Sequence, residues 1–331
     1  MSLQDSVLQG DRLATSRLLT EVENDTALGQ AALNELFTHT GKAHLIGITG
    51  APGTGKSSLV NQLALHYRKA AQPLKVAIVA VDPSSPFTGG AVLGDRVRMR
   101  ELSGDSGVFI RSMATRGSLG GLAQATAGMA QVLDAAGFDV ILIETVGAGQ
   151  SEVEIVKLAH SVLVVDVPGL GDDVQAIKAG ILEIADILVL NKADRPGVEA
   201  AERALLGMLK LGHPTKHLVQ HHGRLEEVFA PADAAPADDW LIPIRRTVAT
   251  EGTGLPELLD VLAAHKAHLQ NSGDWQRRER SRLHTQLLGL VQQSLMASWR
   301  STVTDAQYAS ALDQLVARKL SPRQALQTLL P

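Results

Sequence analysis

Between Gly50 and Ser57 the chain reads Gly-Ala-Pro-Gly-Thr-Gly-Lys-Ser, and no other feature constrains its fold as tightly. A G-x-x-x-x-G-K-S loop works only where a strand delivers the chain and a helix carries it away. Leu45-Ile46-Gly47-Ile48 predicts that strand, and the run from Ser57 to Tyr67 predicts the helix. The glycines let backbone N–H groups turn inward around phosphate oxygens, and the helix N-terminus adds a favourable field. The nucleotide-binding residues expected here are Gly50, Ala51, Pro52, Gly53, Thr54, Gly55, Lys56, Ser57 and Ser58. Lys56 would reach the β- and γ-phosphates, and the Ser57 hydroxyl would ligate Mg²⁺.

A second motif names the base. Asn191-Lys192-Ala193-Asp194 follows the apolar run Ile187-Leu188-Val189-Leu190, so N-K-x-D sits at the carboxyl end of a predicted strand. Ligands bind at such ends in doubly wound sheets. The Asp194 carboxylate can accept hydrogen bonds from both N1–H and the 2-amino group of guanine. Adenine has no such donor pair and would leave the carboxylate desolvated and unmatched. Asn191 would brace the loops, and the Lys192 stem would cover one face of the base. The stretch Val248-Ala249-Thr250-Glu251-Gly252-Thr253-Gly254 resembles the S-A-x-x-G-x-G loop of GTPases, with Val248 in place of the usual Ser. In that reading the Ala249 N–H meets guanine O6.

The rest of the chain supports a doubly wound sheet. Apolar runs at 44–49, 75–81, 107–111, 139–143, 161–166, 185–190 and 241–244 alternate with amphipathic stretches. Their Val/Ile/Leu density predicts burial on both faces of a mostly parallel sheet. The expected fold class is α/β, a P-loop GTPase with helical N- and C-terminal extensions. Residues 1–41 are expected to form an N-terminal helical extension of two or three short helices, with Leu13, Leu18, Leu19, Val22, Leu28, Leu33 and Leu36 at helical spacing. Residues 42–270 form the nucleotide-binding domain. In 271–331 the stripe Leu283, Leu287, Leu288, Val291 and Leu295 is too thin to bury itself. That tail is read as a C-terminal dimerisation arm.

Metal and hydrolysis residues follow from strand ends. Ile141-Leu142-Ile143-Glu144-Thr145-Val146-Gly147 has the spacing of the second GTPase motif, with Glu144 where an Asp is usual. The Gly147 N–H could contact the γ-phosphate, so loss of that phosphate would release the following loop. Ala148 stands where a water-positioning Gln is usual, and Gln150 and Glu152 are the nearby polar candidates. Weak intrinsic hydrolysis is expected. Asp82, ending the second strand, and Asp95, in Gly94-Asp95-Arg96, would add carboxylates to Ser57 and Glu144 around a hard cation. Arg96, Arg98, Arg111 and Arg116 are each candidates for an in-chain arginine finger or for a structural ion pair.

Composition narrows the partners. With 31 basic and 35 acidic residues the formal charge is −4, so no global basic field points to nucleic acid. There are no cysteines, hence no disulfide framework and no thiolate metal site. The first residues, Met1-Ser2-Leu3-Gln4-Asp5, lack a signal-peptide pattern, and no apolar run reaches the roughly 18 residues of a membrane helix. A cytoplasmic protein with no membrane contact is expected.

The middle motifs carry a family resemblance. G-A-P-G-T-G-K-S at 50–57, V-D-P-S-S-P-F-T-G-G-A-V-L-G-D-R at 81–96, R-S-M-A-T-R-G-S-L-G-G-L at 111–122, E-T-V-G-A-G-Q-S-E at 144–152, G-D-D-V-Q-A-I-K-A-G at 171–180 and N-K-A-D at 191–194 run in order. The set resembles the MeaB family of P-loop GTPases, which includes the human methylmalonic aciduria type A protein and bacterial proteins once labelled ArgK. The resemblance implies a homodimeric chaperone that uses GTP and Mg²⁺ to gate cofactor loading by an adenosylcobalamin-dependent acyl-CoA mutase and to protect or rescue it. The client could be a methylmalonyl, isobutyryl, ethylmalonyl or 2-hydroxyisobutyryl mutase. It also implies a switch over 168–180, with Asp172, Asp173 and Lys178 sensing the partner. The alternative is a nickel-insertion metallochaperone GTPase. His213, His217 and His221 would share one face if helical, with His222 beside them.

Overall fold

The computed structural model describes residues 2–82, 102, 104–114, 119–145, 157–169, 184–211, 219–221, 224–226 and 240–330. The chain forms two compact units, Met1–Glu279 and Arg280–Pro331.

In the first unit seven strands form one sheet: β1 (His44–Thr49), β2 (Val76–Asp82), β3 (Val108–Ala114), β4 (Val140–Thr145), β5 (Ser161–Asp166), β6 (Ile187–Asn191) and β9 (Ile244–Thr247). The order is β3-β2-β4-β1-β5-β6-β9, and every pairing is parallel. β7 (Val219–His221) and β8 (Arg224–Glu226) form a separate antiparallel pair. All residues of β1, β4 and β6 are buried, as expected of parallel strands covered on both faces. The doubly wound parallel sheet expected from the apolar runs is the fold observed. Its last strand begins three residues later than the 241–244 run, because Leu241 is 76% exposed and Pro243 precedes the ladder.

One face is covered by α1 (Leu3–Leu8), α2 (Arg12–Glu23), α3 (Ala27–Leu36) and α5 (Leu119–Ala135). Ser2, Asp11 and Thr26 cap the first three through side-chain oxygens that accept N–H groups of the first turn. Leu18, Leu19 and Leu36 are fully buried against Val79, Met129, Leu133 and Ile143. Each such leucine contributes about 2 kcal/mol by leaving water. Leu13 and Leu28, which share the helical spacing, are instead exposed. Asp134 of α5 ties this layer to β1: its carboxylate accepts the N–H groups of Gly41, Lys42 and Ala43.

The other face is covered by α4 (Lys56–Lys69) and α7 (Leu255–Ser272), with Leu59, Leu63, Leu258 and Leu262 packed on Ile46, Ile48 and Ile78. α6 (Val198–Leu211) packs beside β6. After Gly273, in the left-handed conformation, α8 (Asp274–Thr302) begins.

The second unit contains the body of α8, α9 (Asp305–Val316) and α10 (Pro322–Leu329). Thr304 and Ser321 form capping boxes at α9 and α10. The Trp299 indole N–H donates to the Leu329 carbonyl, and its ring meets Tyr308 edge-on.

Candidate functional site

β1 lies between β4 and β5, where the strand order reverses, so its carboxyl end opens into a crevice. The phosphate loop starts there. Gly50 has φ +140°, and a side chain on it would collide with the Val165 carbonyl of β5. Thr54 closes the loop, its N–H and hydroxyl both donating to the Ala51 carbonyl at 3.3 and 2.9 Å. Gly55 is the left-handed N-cap of α4 and supplies no side-chain cap. The N–H groups of that first turn and the helix dipole face the crevice, the arrangement that holds anions elsewhere.

Lys56 is 6% exposed, and its ammonium donates to the carbonyls of Gly50 at 2.7 Å and Ala51 at 3.0 Å. The Ser57 hydroxyl donates to Glu144 Oε1 at 2.6 Å. Glu144 is 5% exposed and stands opposite Ile48 in the β1–β4 ladder. A hydroxyl and a buried carboxylate converging beside the loop form an oxygen donor pair that suits a hard cation such as Mg²⁺. Asp82 ends β2, two positions beyond Ala80, which pairs with Glu144.

The base-reading motif is bonded to the phosphate loop. Asn191, 2% exposed, donates from Nδ2 to the Thr54 carbonyl at 2.8 Å. Its Oδ1 accepts the Thr247 hydroxyl and the Ala249 N–H, both at 3.1 Å. A side chain at Gly55 would strike Asn191 Nδ2, which explains glycine there. Lys192, at φ +55°, lays its stem across the loop and donates to the Gly53 carbonyl at 2.7 Å. Asp194 is exposed in the following turn. Val248 pairs with Thr253, closing the glycine-bearing turn. The Ala249 N–H, which the sequence motif directs to guanine O6, is engaged with Asn191 in this structure.

Other expected residues fall differently. Arg111 is a structural ion pair: its Nη2 donates to Glu23 at 2.6 Å and to Thr20 at 3.2 Å on α2. Asp95, Gly147, Gln150, Glu152, Asp172, Asp173 and Lys178 lie outside the described residues, as do Arg96, Arg98 and Arg116. His221 ends strand β7 rather than a helical turn, so the three-histidine helix face is not formed at that member. His213, His217 and His222 lie outside the described residues. Asp166, which the motifs did not single out, ends β5 and pairs with Leu190 next to Asn191. Burial raises its carboxyl above the usual range, partly offset by the Val167 N–H. An acidic residue ending a strand just before Val167-Pro168-Gly169 was the available signal.

A phosphate loop at the switch point, bonded through Asn191 to an N-K-x-D strand end, defines a P-loop GTPase. The chain belongs to the MeaB family: the family described as methylmalonyl-CoA mutase-associated GTPase MeaB matches residues 15–304. A Pyrococcus abyssi protein that carries a GTPase name is 42% identical over 328 residues, 99% of this chain and 95% of the relative. The methylmalonic aciduria type A homolog of Caenorhabditis elegans, named as mitochondrial, is 28% identical over 98% of this chain and 80% of that protein. Among solved structures, one titled LAO/AO transport system kinase superposes with a TM-score of 0.70 at 24% identity, over 99% of this chain and 95% of that one. That likeness speaks to the fold alone. Among the described residues no helix is long and apolar enough to cross a membrane.

Proposed function

We propose that this GTPase is a chaperone that gates adenosylcobalamin loading and protects or reactivates an adenosylcobalamin-dependent acyl-CoA mutase, methylmalonyl-CoA mutase or a relative. It works in the cytoplasm as a homodimer, hydrolysing GTP to GDP and phosphate slowly alone and faster with its client. The observation that carries this reading is the unbroken chain Thr54–Asn191–Ala249, joining phosphate and base elements in a family named for its mutase.

In this reading Lys56 exchanges its loop carbonyls for phosphate oxygens. Ser57 and Glu144, with Asp82 and Asp95, would hold Mg²⁺, which would neutralise phosphate charge. Asp194 reads guanine, and Asn191 keeps its strand end in register with the loop. Gly147 senses the γ-phosphate, Gln150 or Glu152 orients water, and Asp172, Asp173 and Lys178 report to the client. Support for the homodimer comes from the second unit, where Leu287, Leu288, Leu290, Leu295 and Met296 are 45–66% exposed. Apolar side chains in such density mark an interaction surface. Residues 1–41, 42–270 and 271–331 then act as helical cover, nucleotide domain and dimerisation arm.

Titration calorimetry of a purified adenosylcobalamin mutase into the protein tests the gating. Affinity should differ at least about tenfold between the GDP-bound protein and that bound to a non-hydrolysable GTP analogue, a coupling of about 1.4 kcal/mol. Equal affinities would defeat it.

A further inference from the structure

At the amino-terminal ends of the strands, opposite the nucleotide end, seven polar residues from five separate stretches of the sequence form a largely buried network. His44 Nε2 lies 2.8 Å from Ser161 Oγ, which lies 2.8 Å from His265 Nδ1. His265 Nε2 faces Asp186 Oδ1 at 3.4 Å. Asp186 accepts both guanidinium nitrogens of Arg278, at 2.7 and 2.6 Å, and the Val162 N–H at 2.8 Å. Arg278 also donates to the His160 carbonyl. His160 accepts the Leu45 N–H at Nδ1, so its Nε2 carries the hydrogen donated to Glu279 at 2.6 Å. Trp275 stacks on His160 with centroids 3.8 Å apart and lies 5.8 Å from His44.

Every strand-side partner belongs to β1, β5 or β6, or to the residue just before one. Every helix-side anchor except His265 lies on the first turns of α8, at Trp275, Arg278 and Glu279. We propose that this network is a proton-sensitive clasp, which holds the root of α8 on the sheet while the His44 ring is neutral and releases it in acid.

The geometry gives the direction. A neutral chain satisfies each contact once: His44 Nε2–H donates to Ser161, the Ser161 hydroxyl donates to His265 Nδ1, and His265 Nε2–H faces Asp186. A second proton on His160 would meet the Leu45 N–H head-on. His44 faces His160 just before β5, Lys266 and His265 from α7, and Asp186 just before β6. Arg278 lies beyond Asp186, and Asp274, Arg277 and Glu279 complete the charged groups on the helix root. Burial first, then His160, Lys266 and His265, hold His44 well below the usual imidazole range, with Asp186 opposing. Lifting Trp275 would open His44 to water and relax its ring back toward the ordinary value of about 6.5. The closed form is therefore fully favoured above about pH 6.5 and loses roughly tenfold in the closing equilibrium per pH unit below it.

Hydrogen exchange of the full-length protein, corrected for the intrinsic pH dependence, reads the clasp directly. Protection of residues 274–279 should fall about tenfold per unit below about pH 6.5, while Leu119–Ala135 is unaffected. His44→Gln retains an N–H donor for Ser161 without titrating, and should flatten the dependence. A flat profile in the parent protein, or an unchanged slope in His44→Gln, overturns the proposal. Should the variant fail to fold, NMR titration of the His44 ring in the parent protein decides. A ring still neutral at pH 5.5 agrees, and one titrating near 6.5 in the folded protein overturns it.

Discussion

Asn191→Ala separates bracing from base reading. The side chain makes three hydrogen bonds, to Thr54, Thr247 and Ala249, and all four residues are at most 3% exposed. At about 1 kcal/mol each, their loss removes about 3 kcal/mol, and the Thr54 carbonyl and Ala249 N–H are left buried without that partner. For a domain of this size that corresponds to a fall in Tm of roughly 5–6 °C. The comparison belongs in nucleotide-free protein, because bound GDP would mask part of the loss. Calorimetric unfolding measures it. GDP affinity should also fall, yet preference for GDP over ADP should survive, since Asp194 is intact. A Tm within about 2 °C of the parent would refute the brace.

Asp194→Ala is the converse: the residue is exposed, so Tm should move little, while competition binding should show the preference for GTP over ATP collapse. Arg111→Ala should cost about 2 kcal/mol by leaving the half-buried Glu23 unmatched, with GTP turnover per folded molecule unchanged. At Asp186 burial alone would raise the carboxyl, but hydrogen bonds and charge from His265 and Arg278 hold it at about 2. Its folded value lies below the unfolded one of 3.8, so while the root of α8 stays on the sheet its contribution, about 2 kcal/mol, is full above pH 3.8 and lost as pH falls toward 2. Asp186→Asn should flatten acid denaturation in that window. Removing 280–331 while keeping Arg278 and Glu279 should give a monomer by light scattering, and a persisting dimer would move the interface elsewhere.

Sheet and phosphate loop were legible because their signals are local. A parallel strand covered on both faces must be a continuous apolar run, and the loop must be rich in glycine. β9 was harder to place because an edge strand tolerates Arg245 and Arg246, the latter paired with Glu202 on α6. Leucine spacing marked the N-terminal helices but could not tell Leu18, buried, from Leu13, exposed, since that depends on the angle at which α2 meets α5. Nothing local announced the clasp, whose members span His44 to Glu279 and meet only once the sheet is ordered. Arg111 shows the same limit from the other side. Its guanidinium suits a phosphate equally well, and only the packing of α2 assigns it to Glu23.

Steady-state GTP hydrolysis, alone and with a panel of purified adenosylcobalamin mutases, tests the central claim most directly. The account predicts slow turnover alone and a rise of at least about tenfold with one mutase. Fast turnover alone, or no stimulation by any adenosylcobalamin mutase, would contradict it.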